Sequence, residues 1–379
     1  MAGNDPHYCP SPQVQQMEHD LMTLATWCAS SEDVVVVHDG MTNLCNDYYS
    51  RLNNRCKFVT MSELGHLSSV NPITLFPWGR DVHLAHRLSK CGVSCDGMDN
   101  EILSNVRRLA SRQTAVELLQ LIHDKAQDLP LAGSSRFCTG MKDIKESVLG
   151  YRKAVLKAPW SSSGRGLVVA EDCLTSSQEG WCRNILAVQG GVAVEPFLNK
   201  LQDFACEFYI TEEGQVRFEG YSLFDISGRM TYSGNTVASQ AYLHRCLTEH
   251  YDGGLLDKCV ELVAQCLQSR FAGHYTGPVG VDMMLCLNEN NKVLLHPCVE
   301  INVRYTMGLL SMQLSRLLPM GKVGYFNIHY ERNSDNLLQF ANQFPATYID
   351  ENGLLTRGTL KLTPLTPTSH FLSWLSISE

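Results

Sequence analysis

Two apolar runs in the last third of the chain carry single polar residues where a buried strand would normally have none. The first is Gly277-Pro-Val-Gly280-Val-Asp282-Met-Met-Leu285, and the second is Val293-Leu-Leu-His-Pro-Cys-Val-Glu300-Ile-Asn302-Val-Arg304. Side chains alternate across a strand, so Glu300, Asn302 and Arg304 share one face, and Asp282 on a paired neighbour can meet them there. Acids placed among buried apolar residues demand a cation, because an uncompensated buried charge is too costly to retain. Two carboxylates and an amide oxygen form a hard-oxygen set that suits Mg²⁺ held jointly with phosphate oxygens. The alternative is that Lys or Arg side chains cap the acids as structural ion pairs.

A second constellation lies upstream, in Val155-Leu-Lys157-Ala-Pro-Trp-Ser161-Ser162-Ser163-Gly164-Arg-Gly166-Leu-Val-Val169. A strand runs into a Ser/Gly loop and out into another strand. Small residues let the backbone close on an anion, the serines and free N–H groups donate, and Lys157 supplies charge at the base. The pattern is neither a Walker motif nor a dinucleotide fingerprint, since no helix follows the glycines. An ordinary surface hairpin has the same composition. Further along, Val192-Ala-Val-Glu195-Pro196-Phe197-Leu198 reads as a strand ending in a hinge whose backbone could face an adenine edge. Asp203 and Glu207 follow, four residues apart on one strand face, and could take ribose hydroxyls or support a metal.

Composition narrows the partners. The chain has 379 residues and a formal charge of -8, with no Lys/Arg run of the kind that neutralises a nucleic-acid backbone. Nor does it contain an apolar stretch long enough to span a bilayer, or a basic-then-apolar leader at Met1 to Gln15, so no membrane partner and a cytoplasmic location are expected. Its 15 cysteines are odd in number, scattered and free of any Cys-x-x-Cys pair, which points to small buried hydrophobes rather than a disulfide framework or zinc site. The 13 histidines, including His38, His296 and His329, read as structural.

Hydrophobic periodicity predicts α/β structure at the N-terminus. Asp33 to His38 suits a buried parallel strand, with Phe58 to Met61 and Ile73 to Phe76 as further strands and a helix over Val82 to Leu88. Glu101 to Asp124 is amphipathic and should break near Ser111. From Lys153 onward strands dominate, interrupted by helices near Asn184 and from Leu255 to Phe271. The expected organisation is an α/β domain over 1–110, a small lobe with the phosphate flap over 111–195, a large lobe with the metal site over 196–330, and a C-terminal extension over 331–379 that packs on the core.

Taken in order, the Lys157 loop, the Glu195 hinge and the Asp282/Glu300/Asn302 set resemble the ATP-grasp superfamily, over roughly Ser111 to Leu310. The resemblance implies an ATP-grasp fold of class α/β and α+β: a Rossmann-like N-terminal domain followed by two α+β lobes that sandwich ATP, with Mg²⁺ (or Mn²⁺ in its place) bridging the phosphates. It implies that Lys157 binds phosphate and that Ser161, Ser162, Ser163, Gly164 and Gly166 form the flap. It also implies that Glu195, Pro196, Phe197 and Leu198 form the adenine hinge, with Asp203 at the ribose. Asp282, Glu300 and Asn302 then hold the metal, and Arg304 steadies an acyl phosphate. A second phosphate lysine common in the family is missing here, and Arg112 stands in its place. The activity implied is that of a ligase that couples a carboxylate, activated as an acyl phosphate, to an amine or other nucleophile. A phosphotransferase on the same fold, or a nucleotide binder without catalysis, are the alternatives. The partners implied are small molecules, and assembly as a homodimer is compatible with the sequence. Asp39, Asn43, Arg80 and Asp81 are further candidates for substrate contact.

Overall fold

A computed structural model describes residues 7–52, 56–93, 97–126, 128–161, 166–227 and 231–377. The chain divides into two compact units, one built from Glu101–Tyr232 and Leu243–Thr306, the other from the residues before 101, Ser233–Tyr242 and everything from Met307 onward.

The second unit begins with α1 (Pro12–Leu21), β1 (Val34–Val37), α2 (Thr42–Ser50), β2 (Lys57–Thr60), α3 (Met61–Val70) and α4 (Val82–Lys90). Strands β1 and β2 pair in parallel, Val35 opposite Phe58. Val35 and Val37 pack with Tyr49 and Phe58, while Val34 and Val36 turn to a separate cluster around Leu64 and Leu88. A strand covered on both faces explains the unbroken valine run. A capping box starts α3, Thr60 and Glu63 each bonding the other's backbone N–H. The strand expected at Ile73 to Phe76 does not form, and the segment is irregular. Pro72 and Pro77 bracket it and remove ladder donors, and although Ile73 and Leu75 still pack beneath, Phe76 is 82% exposed.

The first unit starts with α5 (Asn100–Leu109) and α6 (Arg112–Lys125), separated by Ser111, whose Oγ accepts from the Gln113 N–H. Next come β3 (Arg136–Cys138), α7 (Met141–Tyr151), β4 (Lys153–Lys157), β5 (Leu167–Glu171), α8 (Ser176–Gln189) and β6 (Val192–Pro196). These strands form an antiparallel sheet in the order β3-β6-β4-β5, with a core of Ile144, Val148, Leu156, Cys182 and Val194 beneath α7 and α8. The chain continues through β7 (Asn199–Ile210), β8 (Val216–Ser227), β9 (Thr231–Val237), α9 (Gln240–Thr248), α10 (Gly253–Phe271), β10 (Gly277–Leu287) and β11 (Val293–Asn302). In the first unit these make a second antiparallel layer in the order β11-β10-β7-β8, against which α6 and α10 pack.

The chain then completes the second unit with α11 (Met307–Leu314), β12 (Gly324–Tyr330), α12 (Ser334–Asn342), β13 (Tyr348–Ile349), β14 (Leu355–Arg357), β15 (Thr359–Lys361) and β16 (Phe371–Ile377). The C-terminal residues are fastened to the N-terminal ones. The buried carboxylate of Asp20 accepts the N–H groups of His370 (2.8 Å) and Phe371 (3.0 Å), and Leu362 O accepts from Trp27 Nε1 (2.9 Å) and Tyr49 OH (2.7 Å). Among the described residues no helix is long and apolar enough to cross a membrane.

Removing the Asp20 carboxylate leaves two buried N–H groups without an acceptor. Asp20→Ala is therefore expected to cost about 2–3 kcal/mol in a urea melt, whereas Asp47→Ala, which breaks an exposed helix pair with Arg51, should cost under about 0.5 kcal/mol. Equal effects would show that Asp20 is not an anchor.

Candidate active site

The register of β10 and β11 sets Asp282 directly opposite Glu300 and Gly280 opposite Asn302, so the polar residues of both runs do meet on one face. Asn302 Nδ2 donates to Asp282 Oδ1 at 3.1 Å, and Arg304 Nη2 donates to Asn302 Oδ1 at 2.8 Å. The other Arg304 amine, Nη1, donates to Tyr305 O at 3.2 Å, which fixes the guanidinium at the strand end. One strand over, Glu207 on β7 lies opposite Gly280 and is 1% exposed. Ser222 Oγ donates to its Oε1 (3.0 Å) and Thr306 Oγ1 to its Oε2 (2.9 Å). With both oxygens engaged and almost no exposed surface, Glu207 lies behind the acidic wall.

This crowding shows in the acidities. Burial first, then the carboxylates of Glu300 and Glu207, push the Asp282 carboxyl well above its ordinary range, against the pull of Arg304 and Asn302. Burial pushes Glu207 up to about 7, although the Thr306 and Ser222 hydroxyls and Arg304 oppose it. Like charges this close favour either a proton or a cation among them, and a divalent ion is the stronger answer.

The cationic side is built on the other sheet and on α6. Lys157, at the end of β4, reaches across to Glu195 on β6 with Nζ 2.6 Å from Oε2, both side chains largely buried. Ser135 Oγ donates to the second Glu195 oxygen at 3.2 Å. Arg112 opens α6, its own N–H held by Pro159 O at 3.0 Å. Its Nη1 donates to Ala158 O (2.9 Å) and Ser161 Oγ (2.8 Å), and its Nη2 to Glu300 Oε2 (2.9 Å), while Nε is buried without a partner. One guanidinium thus ties the root of the Ser/Gly loop to the acidic strand.

Of the loop, Ser161 and Gly166 are described, whereas Ser162, Ser163 and Gly164 lie outside the described residues. Gly166 has φ +83, its carbonyl accepts from the Ala158 N–H, and a Cβ there would sit 2.8 Å from Ser161 Cβ, so only glycine closes the loop. At the hinge, Pro196 has no N–H and the Phe197 N–H donates to Lys153 O at 2.9 Å. That leaves the Glu195 to Leu198 backbone with fewer free donors than a fully open hinge. The Phe197 ring is exposed and lies 4.6 Å from Lys153 Nζ. Asp203 pairs with Lys200 at 2.5 Å on the same face of β7 as Glu207.

Among the described residues, no group of three or more His, Cys, Asp or Glu side chains converges as a metal cage. Asp282 and Glu300 with the Asn302 amide are a smaller donor set, of the kind that shares a hard cation with a ligand's own oxygens. Ser135, Ser222 and Thr306 are not legible in the sequence, because a lone hydroxyl in a strand or loop has no pattern. His296 is buried and held down to about 3 by burial, Lys157 and His123, so it is neutral packing. Asp81 serves as the N-cap of α4, accepting from Leu84 N at 2.8 Å.

No family model matches the chain, and neither does any curated protein. Solved structures do resemble it. N5-carboxyaminoimidazole synthetase from Staphylococcus aureus, complexed with ADP, aligns with 95% of this chain and 91% of its own at 13% identity and a TM-score of 0.53. The ADP complex of purK, N5-carboxyaminoimidazole ribonucleotide synthetase, aligns with 95% and 90% at 11% identity and a TM-score of 0.53. Biotin carboxylase from Campylobacter jejuni, as a β,γ-ATP complex, aligns with 96% and 85% at 12% identity and a TM-score of 0.55. At identities this low the likeness shows the fold alone: the chain has the fold of these structures, the ATP-grasp fold.

Proposed function

We propose that this protein is an ATP-dependent ligase that joins a carboxylate to an amine or another nucleophile. The observation that carries the proposal is the span of Arg112, which holds the loop root at Ala158 and Ser161 with one amine and Glu300 of the acidic wall with the other. The root of the loop and the acidic wall are therefore joined within one unit, and the space between them is the crevice assigned here to the ligand. Three solved neighbours, held as complexes with ADP or a form of ATP, support a nucleotide as the ligand of that crevice.

In the reaction proposed, a carboxylate oxygen attacks the γ-phosphorus of ATP and ADP leaves; a nucleophile's lone pair then attacks the acyl carbon and expels phosphate. A Mg²⁺ ion, when bound by Asp282, Glu300 and Asn302, would neutralise charge on the phosphate oxygens. Binding would exchange partners within the crevice: Arg112 would turn from Glu300 to phosphate and Glu300 to the metal, so that neither is left alone, while Glu195 would keep the Ser135 hydroxyl as Lys157 turned to phosphate. Arg304, fixed by Asn302 and Tyr305, would sit at the end of the wall where the acyl phosphate forms. No side-chain nucleophile is required; positioning and charge stabilisation supply the catalysis. The hinge at Glu195 to Leu198 would take the adenine and Asp203 the ribose.

Incubation with ATP, Mg²⁺ and paired carboxylate and amine libraries tests this directly. ADP accompanied by a new amide or ester supports a ligase, whereas ADP with only a phosphorylated acceptor would identify a phosphotransferase. Glu300→Gln should lower turnover by at least about a hundredfold while weak nucleotide binding persists in calorimetry. Full activity of that variant would remove the metal assignment.

Glu207 gives a pH test. Its carboxyl titrates near about 7 in the fold and near 4.5 unfolded. Between those values the native state holds a proton that the unfolded state has lost, so stability falls as pH rises from 4.5 through about 7. Glu207→Gln should flatten that decline, by on the order of 3 kcal/mol across the window, in ligand-free melts. Parallel curves for the two proteins would show that Glu207 is already ionised.

A further inference from the structure

Helix α4 of the second unit carries His83, His86, Arg87 and Lys90 at the spacing i, i+3, i+4, i+7, which places all four on one stripe. The opposite side of the helix buries Leu84 and Leu88 in the β1/β2 layer. Over the stripe folds the segment before α1: the His7 ring meets His86 edge-on at 5.0 Å, and Tyr8 meets His83 at 5.9 Å. Together they line an open, shallow cavity of about 340 Å³ with no carboxylate among its lining residues.

Arg87 and Lys90 lie in the last turn of α4, where the helix dipole favours cations. Two cations one turn apart still repel each other, and helices often relieve this with an acid at i±4. Here there is none, and among the described residues neither Arg87 nor Lys90 is ion-paired. A second observation is independent of charge: His86 Nε2 is buried and has no hydrogen-bond partner. Burial, together with Lys90, His7 and His83, also holds the His86 imidazole below its ordinary range. A solvated basic face would need neither the overlying aromatic segment nor an enclosed imidazole nitrogen.

We propose that this cavity binds the phosphate group of a small soluble metabolite. A phosphate presents three terminal oxygens and up to two charges, which matches an Arg fork, an ammonium and imidazole donors arranged around one volume; a carboxylate offers only two oxygens and one charge. The cavity is at the small end of the range for ligand sites, with space beyond the phosphate for a body the size of a sugar. The site does not depend on the ligase reading, because every residue in it belongs to the second unit.

The test is a titration of the full chain with inorganic phosphate and with glucose 6-phosphate, followed by imidazole NMR, with His83→Gln and His86→Gln assigning the two signals. Both signals are expected to move saturably, and Arg87→Gln/Lys90→Gln to weaken the apparent affinity at least about tenfold with its circular dichroism unchanged. Should the double variant lose its fold, Lys90→Gln alone, at an exposed position, should still weaken binding about threefold. Signals that stay still under phosphate, variants that bind as well as the parent, or acetate that binds as well as phosphate would each overturn the proposal. Retention of the chain on phosphatidic acid vesicles, lost in the double variant, would overturn the metabolite assignment in favour of a lipid headgroup.

Discussion

One guanidinium organises the first unit. Arg112 is buried at the start of α6, where its main chain is held by Pro159 and its side chain divides between Ala158, Ser161 and Glu300. Three segments far apart in the chain are fixed to a single planar group. A lysine in this place would keep the charge but not the fork, and it could not satisfy a carbonyl, a hydroxyl and a carboxylate with the same directionality. The short reach of the contacts also explains the small residues around them: Gly166 at the loop root has positive φ and no room for a Cβ.

The acidic wall shows how an antiparallel ladder gathers charge. Asp282 and Glu300 occupy facing positions, Asn302 follows on the same face with Arg304 bonded to it from beyond the strand end, and Glu207 stands on the next strand. Four carboxylates (Asp282, Glu300, Glu207 and Glu195) share the region with three cations (Lys157, Arg112 and Arg304). Buried ion pairs of this sort are weak contributors to stability, since desolvation consumes most of the Coulombic gain.

The second unit is held together differently. Its N-terminal layer is closed by the last residues of the chain, through Asp20, Trp27 and Tyr49, so the C-terminal extension is part of the N-terminal core and not an appendage. The strand expected at Ile73 to Phe76 failed because apolar content alone does not supply ladder donors between prolines. The helix that follows it did form, because Asp81 caps it and Leu84 and Leu88 face the core.

The sequence by itself determined the polar faces. Period-two alternation fixes that Glu300 and Asn302 project together, whereas Arg304 lies beyond the strand end and joins them through a hydrogen bond to Asn302; the strand that carries Lys157 was also legible from its apolar run. The break at Ser111 was equally readable, since a capping serine interrupts a helical period. Only the tertiary structure decided which charges meet. That Arg112 bridges to Glu300, that Lys157 takes Glu195, and that Ser222 and Thr306 satisfy Glu207 all depend on strand register and helix placement across long separations. Local pattern carries no information about such pairings, because they are selected by the packing of whole layers and not by any residue's neighbours in the chain.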